Sequence, residues 1–225
     1  FGISAKYIDA LKNDSISIKE KYFLKRLKCI LSTGSPLSDD GFKYVFNNIK
    51  DDVHLASISG GTDIVSCFVG GNPMMPVYAG EIQCKCLGID VDVIDDNEIG
   101  TKEKGELVCK SSMPSMPVGF WNDKDKVKYI ESYFSQFKNI WSQGDYAQIT
   151  SNNGLIIYGR SDATLNPGGI RIGTAEIYRV VEEIYEIEES LVVGQSWQND
   201  IRIVLFIKLA NEQMISKNLK LLISS

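Results

Sequence analysis

The stretch WSQGDYAQITSNNGLIIYGRSDATLNPGGIRIGTAEI, residues 141–177, constrains the fold of this chain more than any other. Apolar, strand-like runs at 146–149 and 155–158 flank the turn formers Ser151-Asn152-Asn153-Gly154, so the segment predicts a β-hairpin. The hairpin ends in Gly159-Arg160-Ser161-Asp162 and runs into a stretch of Pro, Gly and polar residues, a candidate domain boundary. Its charges, Asp145, Arg160, Asp162 and Arg171, are spaced across Gly-containing turns. There the backbone can approach a ribose or phosphate with no side chain in the way, as a nucleotide site between two domains requires.

These residues resemble the adenylate-forming superfamily, which includes acyl- and aryl-CoA synthetases, luciferases and the adenylation domains of peptide synthetases. In that family the acid of a Gly-Asp pair grips the ribose hydroxyls, a pair met here by Gly144-Asp145. The Arg of a Gly-Arg-x-Asp motif contacts the nucleotide and its Asp is the hinge between a large and a small domain, which implies these roles for Arg160 and Asp162. The family's next segment, Gly-x-Arg-hydrophobic-x-x-x-Glu-Ile, is met by GIRIGTAEI at 169–177. The resemblance implies that Arg171 neutralises nucleotide phosphate or closes the lobe interface, and that Gly169 leaves room for the arm of coenzyme A.

Read from the start, Ile3, Tyr7, Ile8 and Leu11 recur on one helical face, and Cys29-Ile30-Leu31 predicts a buried strand. The strand ends in Gly34-Ser35-Pro36. Phe42, Val45, Phe46 and Ile49 then follow at helical spacing, with Ser38 as N-cap. Residues 53–58 predict the next strand, which runs straight into Ser59-Gly60-Gly61-Thr62-Asp63. Strand, helix, strand in this order implies a parallel pair whose C-terminal ends face one crevice. By itself the Gly-Ser-Pro turn reads first as a tight strand-to-helix connection. The resemblance implies more: the turn lies against adenine, Thr62 supplies a phosphate-contacting hydroxyl, and Asp63 is the Mg²⁺-coordinating carboxylate. Asp where relatives have Glu keeps the ligand chemistry with a shorter reach. Acetyl-CoA synthetases carry Trp-Trp-Gln where this chain has Ser59-Gly60-Gly61, which implies a longer acyl pocket, of a size for a four-carbon keto acid.

Between 77 and 109 short alternating runs broken by glycines predict a small, partly antiparallel barrel or sheet, with 87–94 and 105–109 as its clearest strands. Val127, Ile130, Phe134 and Phe137 mark an amphipathic helix, and Phe120, Trp121 and Trp141 read as core fillers. Beyond Asp162, Thr174 is placed to cap a helix whose Ile177, Val180, Val181 and Ile184 form one apolar stripe. Strands at 190–194 and 201–209, around Gln198-Asn199-Asp200, and a helix over 211–223 complete the pattern. The expected fold class is α/β with α+β. Residues 1–161 would be the C-terminal portion of a large adenylation domain, a parallel α/β unit plus a small β-barrel. Residues 162–225 would be the hinge and a truncated small α+β lobe.

Composition narrows the function. A net charge of −5 without a basic cluster leaves no footprint for nucleic acid or an anionic membrane. No apolar run approaches a membrane span. Five cysteines, an odd count at irregular spacing, argue for reduced thiols and a cytosolic setting, and Cys84-Lys85-Cys86 has no second pair with which to hold a metal. With one histidine, His54, read as the start of a strand, and no Gly-x-Ser-x-Gly elbow, a serine hydrolase has no support. Neither dinucleotide nor P-loop glycine patterns occur. The family's phosphate loop and adenylation lysine are expected upstream of Phe1 and beyond Ser225, so the chain is expected to be an internal piece, inactive alone. The resemblance to the acyl-CoA synthetases implies a reaction that joins acetoacetate to coenzyme A with ATP and Mg²⁺, with Thr62 and Arg171 catalytic. Transfer to a carrier-protein thiol and a non-catalytic nucleotide-binding module remain alternatives.

Overall fold

A computed structural model describes residues 1–97, 99–167, 170–198, 200–210 and 215–224. The chain divides into two compact units, Phe1–Ile157 and Tyr158–Ser225.

The first unit opens with β1 (Gly2–Ser4), α1 (Ala5–Asn13), α2 (Ile18–Lys21) and β2 (Cys29–Thr33). Next come α3 (Asp39–Tyr44), which runs on as one π-helical segment, Val45–Ile49, and β3 (His54–Ser57). The three strands form a parallel sheet in the order β1-β2-β3, with Cys29 opposite His54 and Ser32 opposite Ser57. The expected strand, helix, strand unit is therefore present, and His54 does start a strand. Ser38 caps α3 as predicted, its Oγ accepting from the Gly41 N–H at 3.1 Å. Ile3 belongs to β1 instead of the first helix, because Ser4 ends the strand and caps α1 by accepting from the Tyr7 N–H at 3.1 Å. Ile8, Ile30, Phe42, Val45 and Leu55 close the core of this part.

An antiparallel sheet follows, built from β4 (Ser59–Gly61), β5 (Ser66–Gly70) and β6 (Cys84–Lys85) in that order. A four-stranded sheet comes next: β7 (Val91–Ile94), β8 (Gly105–Cys109), β9 (Trp141–Ile149) and β10 (Leu155–Arg160), in the order β10-β9-β8-β7. Among the described residues these are open sheets, and the predicted barrel does not close. The strand expected over 87–94 begins only at Val91, since Leu87 is fully exposed and Gly88 turns the chain at φ +77.

The helix α4 (Val127–Tyr133) is shorter than its sequence pattern, and its buried face differs. The Asp123 carboxylate accepts from the Lys128 and Tyr129 N–H groups at 3.2 and 2.9 Å and fixes where the helix starts. In that phase Val127 and Ile130 are half exposed, while Tyr129 is buried in a cluster with Phe120, Tyr133, Phe134 and Trp141. Phe120 and Trp141 fill the core as read from sequence; Trp121 does not, being 93 % exposed.

The second unit holds a 3₁₀ turn, Ser161–Ala163, α5 (Thr174–Val181), an antiparallel hairpin of β11 (Ile187–Trp197) and β12 (Asp200–Leu209), and α6 (Lys217–Ser224). It begins at Tyr158, ahead of the boundary read at 161/162, because the end of β10 packs on the start of α5. A Cβ added at Gly173 would stand 2.3 Å from the Tyr158 carbonyl oxygen. Gly173, not Thr174, is the N-cap of α5, and the Glu176 carboxylate closes back on the Gly173 N–H at 2.8 Å. Val180 is 67 % exposed whereas Ala175 and Val181 are buried, so the apolar stripe is narrower than predicted. Asn199 and 211–214, part of the predicted turn and last helix, lie outside the described residues. Among the described residues no helix is long and apolar enough to cross a membrane.

Candidate functional site

The site in the first unit is organised by a bulge in β9. Val108 pairs with Ser142 and Glu106 with Tyr146, so Gln143, Gly144 and Asp145 stand against Leu107 alone. Gly144 makes this possible at φ +79, a conformation that penalises a Cβ. From β8 the buried Glu106 reaches the bulge, where its Oε1 accepts from the Ser142 hydroxyl at 2.6 Å and the Gly144 N–H at 2.9 Å. A bulge breaks strict alternation and re-aims side chains. Here it turns both Gln143 and Asp145 toward β4. The Ser59 hydroxyl donates to Asp145 Oδ2 at 3.1 Å, and the Gln143 carboxamide lies where a side chain of residue 61 would begin, with Nε2 2.8 Å from an added Gly61 Cβ.

The same patch reaches Asp63. Gln143 Oε1 accepts from the Trp141 indole N–H at 3.0 Å, and Trp141 stacks on Tyr133 with ring centroids 3.7 Å apart and planes 15° apart. The Tyr133 hydroxyl in turn donates to Asp63 Oδ2. Two contact chains therefore leave the bulge, Asp145 to Ser59 and Gln143 through Trp141 and Tyr133 to Asp63. Thr62 and Asp63 are exposed in a tight turn that the Val65 N–H closes on the Thr62 carbonyl at 3.2 Å.

A hydroxyl and one carboxylate on such a turn suit a hard cation that arrives with phosphate oxygens. Among the described residues no group of three or more His, Cys, Asp or Glu is placed to hold a metal by itself. The thiols of Cys67, Cys84 and Cys109 are pushed up by burial, and that of Cys86, buried beside Cys67 and Cys84, is pushed up to about 11. Protonated thiols are poor ligands.

Gly60 requires a correction. A Cβ there would stand 2.1 Å from the Ser66 carbonyl oxygen and 2.6 Å from Cys67 Cα. Residue 60 thus faces the backbone of β5, and its lack of a side chain lets β4 and β5 approach. Gly34 and Ser35 are exposed and Pro36 half-buried where the chain leaves β2, at the same strand ends from which β3 leads into Ser59.

In the second unit Arg160 ends β10, and its Nε lies 3.4 Å from Asp162 Oδ1, both side chains being exposed. The residue read as a nucleotide contact and the residue read as the hinge are therefore an ion pair. Arg171 is exposed beside a two-residue bridge, in which the N–H groups of Leu165 and Ile172 each donate to the other's carbonyl at 2.9 and 2.8 Å. Gly169 lies outside the described residues.

No protein-family model matches the chain. Over 211 residues it is 56 % identical to an acetoacetyl-coenzyme A synthetase of Rhizobium meliloti (strain 1021), an alignment covering 93 % of this chain and 32 % of that protein. The chain is homologous to acetoacetyl-CoA synthetases. A solved acetoacetyl-CoA synthetase from Streptomyces lividans superposes with a TM-score of 0.89 at 40 % identity, over 99 % of this chain and 34 % of the other. An anthranilate CoA ligase in complex with anthranoyl-AMP shares the fold, with a TM-score of 0.78 at 20 % identity over 99 % of this chain and 42 % of its own. The chain spans about a third of the length of the acetoacetyl-CoA synthetases it matches.

Glu106, Tyr133 and Gln143 were not singled out from the sequence. Glu106 did leave a signal, an acid inside the apolar run Gly105-Glu106-Leu107-Val108-Cys109, all of it buried. Tyr133 and Gln143 left none, because their roles depend on the phase of α4 and on the bulge.

Proposed function

We propose that this chain is part of an ATP-dependent acid–CoA ligase that activates acetoacetate. The observation that carries this reading is the 56 % identity to an acetoacetyl-coenzyme A synthetase across 93 % of the chain. The acetoacetate carboxylate attacks the α-phosphate of ATP, giving an acyl-adenylate and pyrophosphate. The coenzyme A thiol then attacks the acyl carbonyl and AMP leaves.

In the first unit Asp145, held by Ser59, accepts hydrogen bonds from the ribose hydroxyls, Gly34-Ser35-Pro36 lies along adenine, and the Thr62 hydroxyl donates to phosphate. Asp63 would hold Mg²⁺, whose charge offsets the negative charge that builds on the phosphates. Ser59 and Gly61 border the acyl group. In the second unit Arg160 contacts the nucleotide, Arg171 neutralises phosphate, Gly169 leaves room for coenzyme A, and Asp162 is the pivot between the two half-reactions. Five free cysteines fit a reducing compartment such as the cytosol.

The test is pyrophosphate exchange in the complete protein that carries this chain. Acetoacetate should drive exchange into ATP, and addition of coenzyme A should yield acetoacetyl-CoA. ATP binding without any acid-dependent exchange would make the protein a nucleotide-binding module, and transfer to a carrier-protein thiol but not to coenzyme A would move it to another class of adenylating enzyme.

A further inference from the structure

We infer that Glu106 is a positioning residue for the nucleotide, acting through the β9 bulge on Asp145; this rests on the reading of Asp145 as the ribose ligand. Glu106 is only 5 % exposed and lies on β8, in a run buried at every position. A carboxylate in such a place is expensive unless it is hydrogen-bonded. Its Oε1 accepts two bonds, from the Ser142 hydroxyl at 2.6 Å and the Gly144 N–H at 2.9 Å, and both donors lie in the segment that departs from the ladder.

The geometry explains why an acid sits there. Where three residues of β9 face Leu107, the bulge leaves backbone donors without a cross-strand carbonyl, and the Glu106 side chain stands in for it. Gly144, whose N–H it takes, is the residue at φ +79 that turns the chain. Asp145 comes immediately after. The direction of the Asp145 carboxylate, which meets the Ser59 hydroxyl at 3.1 Å, is thus set by Gly144 and locked by Glu106. A neutral apolar residue at 106 would leave the half-buried Gly144 N–H without its acceptor and free the bulge to relax into regular strand, which moves Asp145 away from Ser59. Glu106 itself touches no substrate.

The experiment is carried out on the complete enzyme, with ATP affinity measured by titration, KM for ATP and kcat from acetoacetate-dependent pyrophosphate exchange, and the melting temperature recorded for each variant. Glu106→Ala should weaken ATP by about tenfold while leaving kcat near wild type at saturating ATP, and Glu106→Gln, which keeps an acceptor oxygen, should recover most of the loss. If Glu106→Ala does not fold, Glu106→Asp serves instead, since the shorter carboxylate falls short of the Gly144 N–H. Because Glu106 acts through Asp145, Glu106→Ala combined with Asp145→Ala should bind ATP no worse than Asp145→Ala alone. Wild-type ATP affinity in Glu106→Ala or Glu106→Asp, with Asp145→Ala weakened, overturns the inference about Glu106 and leaves the ribose reading standing. So does a double variant whose losses multiply. Wild-type ATP affinity in Asp145→Ala overturns the ribose reading itself.

Discussion

The Ser59 hydroxyl donates to Asp145 Oδ2 over 3.1 Å, joining residues 86 positions apart. This contact fastens the strand that leads into the Thr62-Asp63 turn to the bulge that carries Gly144-Asp145. A residue read as acyl pocket and a residue read as ribose ligand therefore share one hydrogen bond, and changes at either should be felt at the other.

Asp145→Ala in the complete enzyme should weaken ATP by about 1.5–3 kcal/mol, the worth of hydrogen bonds to a charged group, without lowering the melting temperature in proportion. Ser59→Ala removes one donor to the same carboxylate and should have the smaller effect, about 0.5–1.5 kcal/mol. Calorimetric titration with ATP measures both; a larger loss in Ser59→Ala than in Asp145→Ala would contradict the assignment.

Gly60→Ala should destabilise the protein by about 1–3 kcal/mol, because the new methyl group meets the backbone at Ser66 and Cys67 and β4 must move away from β5. Gly61→Ala meets only the movable end of the Gln143 side chain and should be milder. Thermal melts of the two variants decide the matter, and equal stability of Gly60→Ala and wild type would show that the strands are not so close.

Tyr133→Phe keeps the stack on Trp141 and deletes only the hydroxyl that donates to Asp63. If Asp63 holds Mg²⁺, losing the group that orients its carboxylate should raise the Mg²⁺ concentration needed for half-maximal exchange by about tenfold. The melting temperature should barely change. An unaltered Mg²⁺ titration would separate Tyr133 from the cation.

The Arg160–Asp162 pair is exposed, and pairs of this kind contribute little to stability, so breaking it costs little. Asp162→Pro fixes φ and deletes an N–H at that point. Acetoacetate-dependent exchange should survive within about tenfold, while acetoacetyl-CoA formation falls much further. Equal loss of both half-reactions in a folded variant rules out a pivot here.

Cys86 supplies a pH signature. Burial, with Cys67 and Cys84 nearby, raises its thiol from 9.0 to about 11 in the folded state. The unfolded chain, with the lower value, releases its proton first, so the stabilising contribution is complete below about pH 9 and is lost as pH rises toward 11. Cys86→Ala should flatten the alkaline fall in melting temperature relative to wild type.

The parallel unit was legible because its signals are local: Ser38 caps its helix, and apolar runs of strand length lie on either side. The hairpin at 141–160 was legible from its turn residues. Where the reading failed, tertiary contacts had overridden local pattern. Val127 and Ile130 repeat at helical spacing yet face outward, since Asp123 sets the phase of α4 by gripping the backbone of Lys128 and Tyr129. Gly60 read as an empty place in a pocket, but which way a missing side chain would point depends on a partner strand, and no spacing in the sequence encodes that. Residues Ser59, Asp63 and Asp145 could be chosen by likeness to a motif; what ties them together, Glu106, Gln143 and Tyr133, became visible only with the bulge in place.

The stack of Tyr133 on Trp141 also gives this protein a built-in optical probe. Trp141 is 1 % exposed, whereas Trp121 and Trp197 are 93 % and 49 % exposed. Its emission should lie at shorter wavelength than theirs and survive aqueous quenchers that extinguish them. The ring lying 3.7 Å away carries the hydroxyl that holds Asp63, so any ligand that draws Asp63 aside will shift that ring and change the intensity of the shielded band. Loading of the turn can then be followed by intrinsic fluorescence, with no label attached.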